Sequence, residues 1–238
     1  MKFAILYIVA TPIGNLQDIG SRAIEVLKGA DLILAEDTRV TKKLLNHYNI
    51  RTPVLSYHQH SQLQKVDSIL KLLERGKNLA LVSDAGTPGI SDPGNKLVRE
   101  VAESLSDKVA IVSIPGPSAL AAAASVCGFP MDKFLFLGFP PAKNKRQRFF
   151  KEVLESKYPV VLYESSHRIL RTLEELNSIL NTKYQILNTR LVVCQELTKM
   201  FEKTYRGTIS EVLDKMKGQD LRGEFVIILS NQKVRKDE

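Results

Sequence analysis

With 238 residues, 44% apolar and 25% charged, the chain has the make-up of a soluble globular protein, one large domain or two small ones. No apolar run nears the roughly 20 residues of a membrane-spanning helix, and two cysteines are too few for a disulfide scaffold. A formal charge of +8 favours an acidic partner, nucleic acid first. Cys127 and Cys194 lie in apolar segments and are expected as buried free thiols of a cytoplasmic protein. The four histidines, His58 and His60 among them, lack ligand spacing, so no metal is expected.

Residues 3–10 form a near-continuous apolar run that passes straight into a turn, which reads as a first buried strand and not as a secretory leader. Ser21 is placed as the cap of a helix to Lys28, with Ala23, Ile24 and Leu27 on one side. Strands are expected at 31–35, 54–57, 78–82 and 108–114. Helices are expected at 38–48, 62–75 (stopped by Gly76) and 95–105. This alternation predicts an α/β domain over residues 1–115 with a mostly parallel sheet. Pro115-Gly116-Pro117 is a rigid break with Ser118 as a helix cap, and the domain boundary is placed there.

Residues 116–238 then read as a second α/β domain. A small-residue helix leads to a strand at 134–137, and a basic segment holds Lys143, Lys145, Arg146, Arg148 and Lys151. A strand at 160–163 precedes a helix at 166–180. Strands at 187–194 and 203–206 form an antiparallel pair, Thr208 caps a helix to Lys217, and a last strand covers 225–229. Strand pairs mixed with helices predict a mixed sheet, and Lys233, Arg235 and Lys236 add a basic tail.

In open α/β sheets ligands bind at the carboxyl ends of strands, so the Gly- and Pro-rich loops after strands are the place to seek a site. Thr11-Pro12-Ile13-Gly14-Asn15 has neither a dinucleotide nor a phosphate-loop spacing. Glu36-Asp37-Thr38-Arg39 sets two carboxylates and a guanidinium after a strand; the plainer alternative is Asp37 as a helix cap and Arg39 on a solvated face. The segment from Ser83 to Gly94 is too rich in small residues for a minimal connection, and Asp84 suits an amine or hydroxyl ligand. Asp92 and Pro93 read as a helix start. In the second half, Tyr163-Glu164-Ser165-Ser166-His167-Arg168 and Glu196-Leu197-Thr198-Lys199 follow strands, with one of the serines expected as a helix cap. No G-x-S-x-G elbow supports a serine hydrolase.

Taken together, the segments Tyr7 to Ile19, Ala35 to Arg39, Ser83 to Gly94, Pro115 to Ser118, Gly138 to Lys143, Tyr163 to Arg168 and Glu196 to Lys199 resemble the tetrapyrrole (corrin/porphyrin) methylase superfamily. Within it the chain is similar to the bacterial 16S ribosomal RNA 2′-O-ribose methyltransferases, from residue 7 to 229. The resemblance implies two α/β domains with S-adenosylmethionine in the cleft between them, a homodimer, and 16S rRNA or the small ribosomal subunit as partner. It implies methylation of the ribose 2′-hydroxyl of a decoding-centre cytidine. It places the cofactor against Pro12, Gly14, Ser83, Asp84, Ala85, Gly86, Thr87, Pro117, Ser118, Ala119, Leu162 and Tyr163. Tetrapyrrole enzymes open with a G-x-G-P-G loop, and Thr11 to Asn15 suits the RNA branch instead. Gly89 replaces a bulkier residue of the family, and Gln195 replaces an arginine, removing a phosphate contact.

Methyl transfer from a sulfonium needs an in-line ribose oxygen and the loss of one proton. Candidate bases are Glu36, Asp37, Glu164 and Glu196, and candidate electrostatic partners are Arg39, Arg168 and Lys199, unranked by the sequence. Lys143, Lys145, Arg146 and Arg148 are the candidate RNA-phosphate contacts, against the alternative of a solvated helix face. The rival functions are a same-fold enzyme acting on a tetrapyrrole or another small molecule, and a non-catalytic RNA-binding protein.

Overall fold

Short aliphatic runs separated by amphipathic helices leave each strand of the first half to be covered on both faces. In the computed structural model, which describes residues 4–58, 63–92, 94–183 and 187–233, that is what forms. The chain divides into two units, Met1–Ser118 and Ala119–Glu238, three residues beyond the boundary expected at Pro115.

In the first unit, β1 (Ala4–Val9), β2 (Leu32–Ala35), β3 (Val54–Ser56), β4 (Leu79–Val82) and β5 (Val109–Ile114) pair in the order β3-β2-β4-β1-β5. Every pairing is parallel. The helices are α1 (Ser21–Gly29), α2 (Thr38–His47), α3 (Leu63–Glu74) and α4 (Asn95–Ser104). Successive strand residues point to opposite faces, so Leu34, Leu79 and Leu81 join a core with Ile69 and Leu73 of α3 and Leu97 of α4. Ile33, Ala80 and Val82 join another with Leu27 of α1 and Leu45 of α2.

The caps partly depart from expectation. Gly20, with no side-chain cap bond, precedes α1, and Ser21 is its first residue. Asp37 does cap α2, accepting from the Arg39 N–H at 2.8 Å. Helix α4 is preceded by Gly94 at φ 142°, so Asp92 is not its cap. A Cβ on Gly94 would stand 3.0 Å from Leu81 Cδ2, which fixes glycine there. Pro93, His60, Gln62, Phe3, Arg235 and Lys236 lie outside the described residues.

The second unit holds α5 (Ala119–Cys127), β6 (Leu135–Gly138), α6 (Arg146–Glu155), β7 (Val160–Ser165), α7 (Ile169–Lys183), β8 (Leu187–Gln195), β9 (Lys203–Gly207), α8 (Ile209–Met216) and β10 (Glu224–Lys233). Its sheet runs β6-β7-β10-β8-β9, with β6 and β7 parallel and the other pairs antiparallel, a mixed sheet as expected. Strand β10 outruns its apolar stretch because ladder bonds between Ser230 or Asn231 and β8 need no apolar side chain. Thr208 caps α8 in a reciprocal box with Glu211. Helix α7 begins at Ile169 and not at Ser166: residues 166–168 make a turn, and the Ser166 N–H donates to Gly223 O at 3.2 Å. Cys127 and Cys194 are buried and free. Among the described residues, no helix is long and apolar enough to cross a membrane.

Candidate functional site

Parallel strands deliver all their carboxyl ends to one edge of a sheet, and in the first unit the loops after β1, β4 and β5 meet there. Thr11 and Gly86 exchange both backbone hydrogen bonds, at 2.9 and 3.0 Å, and the Ala10 N–H donates to Ile114 O at 3.2 Å. Weaker hydroxyl bonds follow, from Thr11 Oγ1 to Ser83 O at 3.3 Å and from Thr87 Oγ1 to Pro117 O at 3.4 Å. Side chains would spoil this seam. A Cβ on Gly116 would lie 3.1 Å from Ala10 Cβ, and one on Gly86, at φ 76°, would lie 3.4 Å from Ile13 Cγ2. The result is a shelf made of main chain. Pro12, Ser83 and Gly86 are buried within it, while Gly14, Asp84 and Ala85 are exposed and Thr87, Pro117 and Ser118 half-buried.

The loop after β2 joins the shelf through the Asp37 N–H, which donates to Asp84 Oδ1 at 2.9 Å. Its two carboxylates are driven in opposite directions. Asp37 is gripped by Arg39, Nη2 to Oδ2 2.7 Å, and that guanidinium holds its carboxyl well below the usual range. Glu36 is raised, first by burial and then by the charges of Asp84 and Asp37, with His58 opposing. Of this pair Glu36 is the better proton acceptor, and Asp37 is occupied in capping and in pairing with Arg39.

The charged motifs of the second unit close on themselves. Glu164 is 1% exposed. Its Oε1 accepts from Arg168 Nε and from the Ser165 N–H, both at 2.8 Å, and its Oε2 accepts from Thr172 Oγ1 at 2.7 Å. Thr172 Oγ1 in turn accepts from Arg146 Nη2 at 2.9 Å, and Arg146 Nε donates to Glu175 at 2.8 Å. Burial raises the Glu175 carboxyl, but hydrogen bonds from Arg146 and Arg171 outweigh it and hold the group below its ordinary value.

Two expectations fall on this network. Glu164, a candidate base by sequence, is sealed from solvent with both carboxyl oxygens occupied. Arg146 is no phosphate contact: at 4% exposed it is buried under its partners, its Cζ 4.9 Å from the Phe150 ring centre. Periodicity held the signal, because Arg146 shares a helical face with buried Phe150, Val153 and Leu154. Lys143, Lys145 and Arg148 are exposed, and Lys151 pairs with Glu155 at 3.7 Å.

The turn after β8 is built the same way. Glu196, at φ 53°, accepts from Lys199 Nζ at 2.7 Å and from the Glu224 N–H at 3.0 Å, and Lys199 also reaches Glu224 Oε2 at 3.2 Å. Burial works against the Lys199 charge, yet these carboxylates outweigh it and raise its pKa. Gly223 makes room for the Glu196 carboxyl, which a Cβ there would overlap. Gln195 is 3% exposed, donating to Asp220 O and Arg222 O at 2.9 and 3.0 Å. That position faces inward.

Leu162 is likewise a core side chain, while Tyr163 and Ala119 are half-buried. The Tyr163 ring packs edge-to-face against Phe136 and Phe139, centroids 4.9 and 5.6 Å away, and its hydroxyl accepts from the Leu120 N–H at 3.2 Å. Thr172, Glu175 and the packing of Phe136 and Phe139 on Tyr163 escaped sequence reasoning. The i, i+4 spacing of Arg171 and Glu175 was the one available hint. Among the described residues, no cluster of His, Cys, Asp and Glu suits a metal ion, and no buried side-chain polar atom lacks a partner.

The family model described as Tetrapyrrole (Corrin/Porphyrin) Methylases matches residues 5–213. A Synechocystis protein named ribosomal RNA small subunit methyltransferase I is 43% identical over 227 residues, 95% of this chain and 78% of that one. A protein of the same name from Thermotoga maritima is 40% identical over 227 residues, 95% of this chain and 98% of its own. Among solved structures, the cobalamin biosynthetic enzyme cobalt precorrin-4 methyltransferase superposes with a TM-score of 0.64 at 20% identity, covering 95% of this chain and 94% of that one. The methyltransferase CobJ does so at 0.65 and 15%, covering 99% and 97%. At those identities the two structures show a shared fold.

Proposed function

This chain belongs to the tetrapyrrole (corrin/porphyrin) methylases, and on that premise we propose that it transfers the methyl group of S-adenosylmethionine to a ribose 2′-hydroxyl of 16S rRNA, at a decoding-centre cytidine. The observation that carries this reading is an identity of 40–43% over 95% of the chain with proteins named for methylating small-subunit rRNA. The basic balance of the chain supports it. We further place the protein in the cytoplasm as a homodimer, with the small ribosomal subunit as its partner.

The first unit's shelf suits the cofactor. Its floor is main chain at Gly116, where a Cβ would crowd Ala10, and at Gly86, whose φ of 76° favours glycine, and its exposed Asp84 suits an amine or hydroxyl. When bound, S-adenosylmethionine supplies an electrophilic methyl on a sulfonium. Glu36 is assigned the proton of the ribose hydroxyl, because burial and neighbouring carboxylates raise its affinity for one. Arg39, 87% exposed at its side chain, adds positive charge at the rim. Glu164 with Arg168, and Glu196 with Lys199, hold loops in place. Lys143, Lys145 and Arg148 meet phosphates.

The test is transfer of labelled methyl from S-adenosylmethionine to small subunits from a strain lacking the protein, with the site mapped by resistance to alkaline cleavage. Label at one alkali-resistant ribose is expected, and Glu36→Gln should lower turnover about 10²- to 10⁴-fold with cofactor binding retained. Label on a tetrapyrrole and none on subunits would replace this reading by the small-molecule one.

A further inference from the structure

We propose that Phe139 is a stacking platform for an unpaired base of the RNA substrate; this rests on the rRNA-methylating function proposed for the chain and extends it to a residue that function leaves unused. Phe139 is 50% exposed. It follows Gly138, at φ 64°, where the register between β6 and β7 shifts, so the ring leaves the regular pleat of the sheet edge. One side of the ring rests edge-on against Tyr163, which Phe136 and the Leu120 N–H hold in turn. About half of its surface stays exposed, which leaves apolar ring area for a flat partner to cover.

The chain beyond the ring is fixed as firmly. Pro140 and Pro141 have locked φ angles. Their carbonyls accept from Arg168 Nη1 at 3.1 Å and Arg146 Nη1 at 2.7 Å. Arg168 is anchored directly on Glu164, and Arg146 through Thr172. A ring held this way loses little entropy when a flat ligand lands on it. Lys143 and Lys145, exposed on the same loop, supply charge for the adjoining phosphates. Rigid aromatic rings beside cations are how proteins hold single-stranded nucleic acid, the ring taking the base and the cations the backbone.

The experiment measures the affinity of small ribosomal subunits and of S-adenosylmethionine for the full chain and for Phe139→Ala, Phe139→Leu and Phe139→Tyr. Thermal unfolding confirms that each variant is folded. Ala and Leu should weaken subunit binding about ten- to hundredfold and raise KM for subunits, while Tyr stays within about twofold and cofactor affinity does not move. Stacking is uncharged, so the salt dependence of binding should keep its slope. Wild-type subunit affinity in both Ala and Leu overturns the proposal. So does full affinity in Leu alone, which would mean plain apolar packing, or a loss confined to cofactor binding, which would assign the ring to the cofactor's adenine. Leu retains the bulk of the side chain and keeps the test decisive if Ala fails to fold. A wild-type protein that methylates no subunit breaks the underlying function instead, and the wild-type arm tells the two failures apart.

Discussion

The two units shape their loops by different means. In the first, the seam between Thr11, Gly86, Ile114 and Pro117 is tied by main-chain groups and short hydroxyls. In the second, the loop after β6 and the turn after β8 are tied by charged side chains, Glu164 and Arg146 in one and Glu196 and Lys199 in the other. Main-chain seams leave polar atoms and open space for a small ligand, whereas paired charges consume their own capacity to bind anything else. A charge within a motif is therefore no guide to chemistry until its partners are known.

That contrast predicts a graded set of responses. Glu164→Ala should be the most damaging, because it strands the partly buried Arg168 without its carboxylate, and a broken buried pair costs about 3–5 kcal/mol; urea unfolding reads it directly. A cost under about 1 kcal/mol would mean that the network is ornamental and that the units do not differ as described. Gly86→Ala acts through backbone alone. At φ 76° an alanine costs about 1–2 kcal/mol, and titration with S-adenosylmethionine should show weakened binding, while an equal substitution at exposed Gly20 should leave binding unchanged.

A smaller effect separates free from committed cations. Joint replacement of Lys143, Lys145 and Arg148 by alanine should lower the slope of log affinity for RNA against log salt by about 2, near 0.7 for each single-strand phosphate that is no longer neutralised. Arg146→Ala should lower stability instead. The smallest effect is in acid. Glu175 is held below its ordinary value of 4.5 in the folded chain, so its contribution is fully present above that value and is lost as pH falls through the lowered one. Glu175→Gln should thus flatten the acid limb of the stability curve, by less than about 1 kcal/mol for so accessible a group.

Much of the framework was legible in the sequence, because strand and helix periodicities are local properties. The five parallel strands of the first unit, the Asp37 and Thr208 caps and the antiparallel β8–β9 pair all follow from residues close in the chain. What escaped depends on partners far away in sequence. Arg146 reads as basic surface until Glu175 and Thr172, 29 and 26 positions on, claim its guanidinium. Helix α7 starts late because Ser166 is bonded to Gly223, which no local pattern reveals. The shelf loops were recognisable from their small residues, but not the Thr11–Gly86 pairing that joins them.

Strand β10 has a consequence for how the chain is made. It lies between β7 and β8 and so joins the β6–β7 pair to the β8–β9 hairpin, yet it follows all of them in the sequence. During synthesis the second sheet stays in two pieces until Glu224–Lys233 clears the ribosome, with Val160, Leu162, Leu191 and Val193 lacking the central strand that completes their core. The pairings of the first unit close before that point. A translational pause late in the message would therefore hold a chain with one finished sheet and one open seam, the state in which chaperones have most to protect.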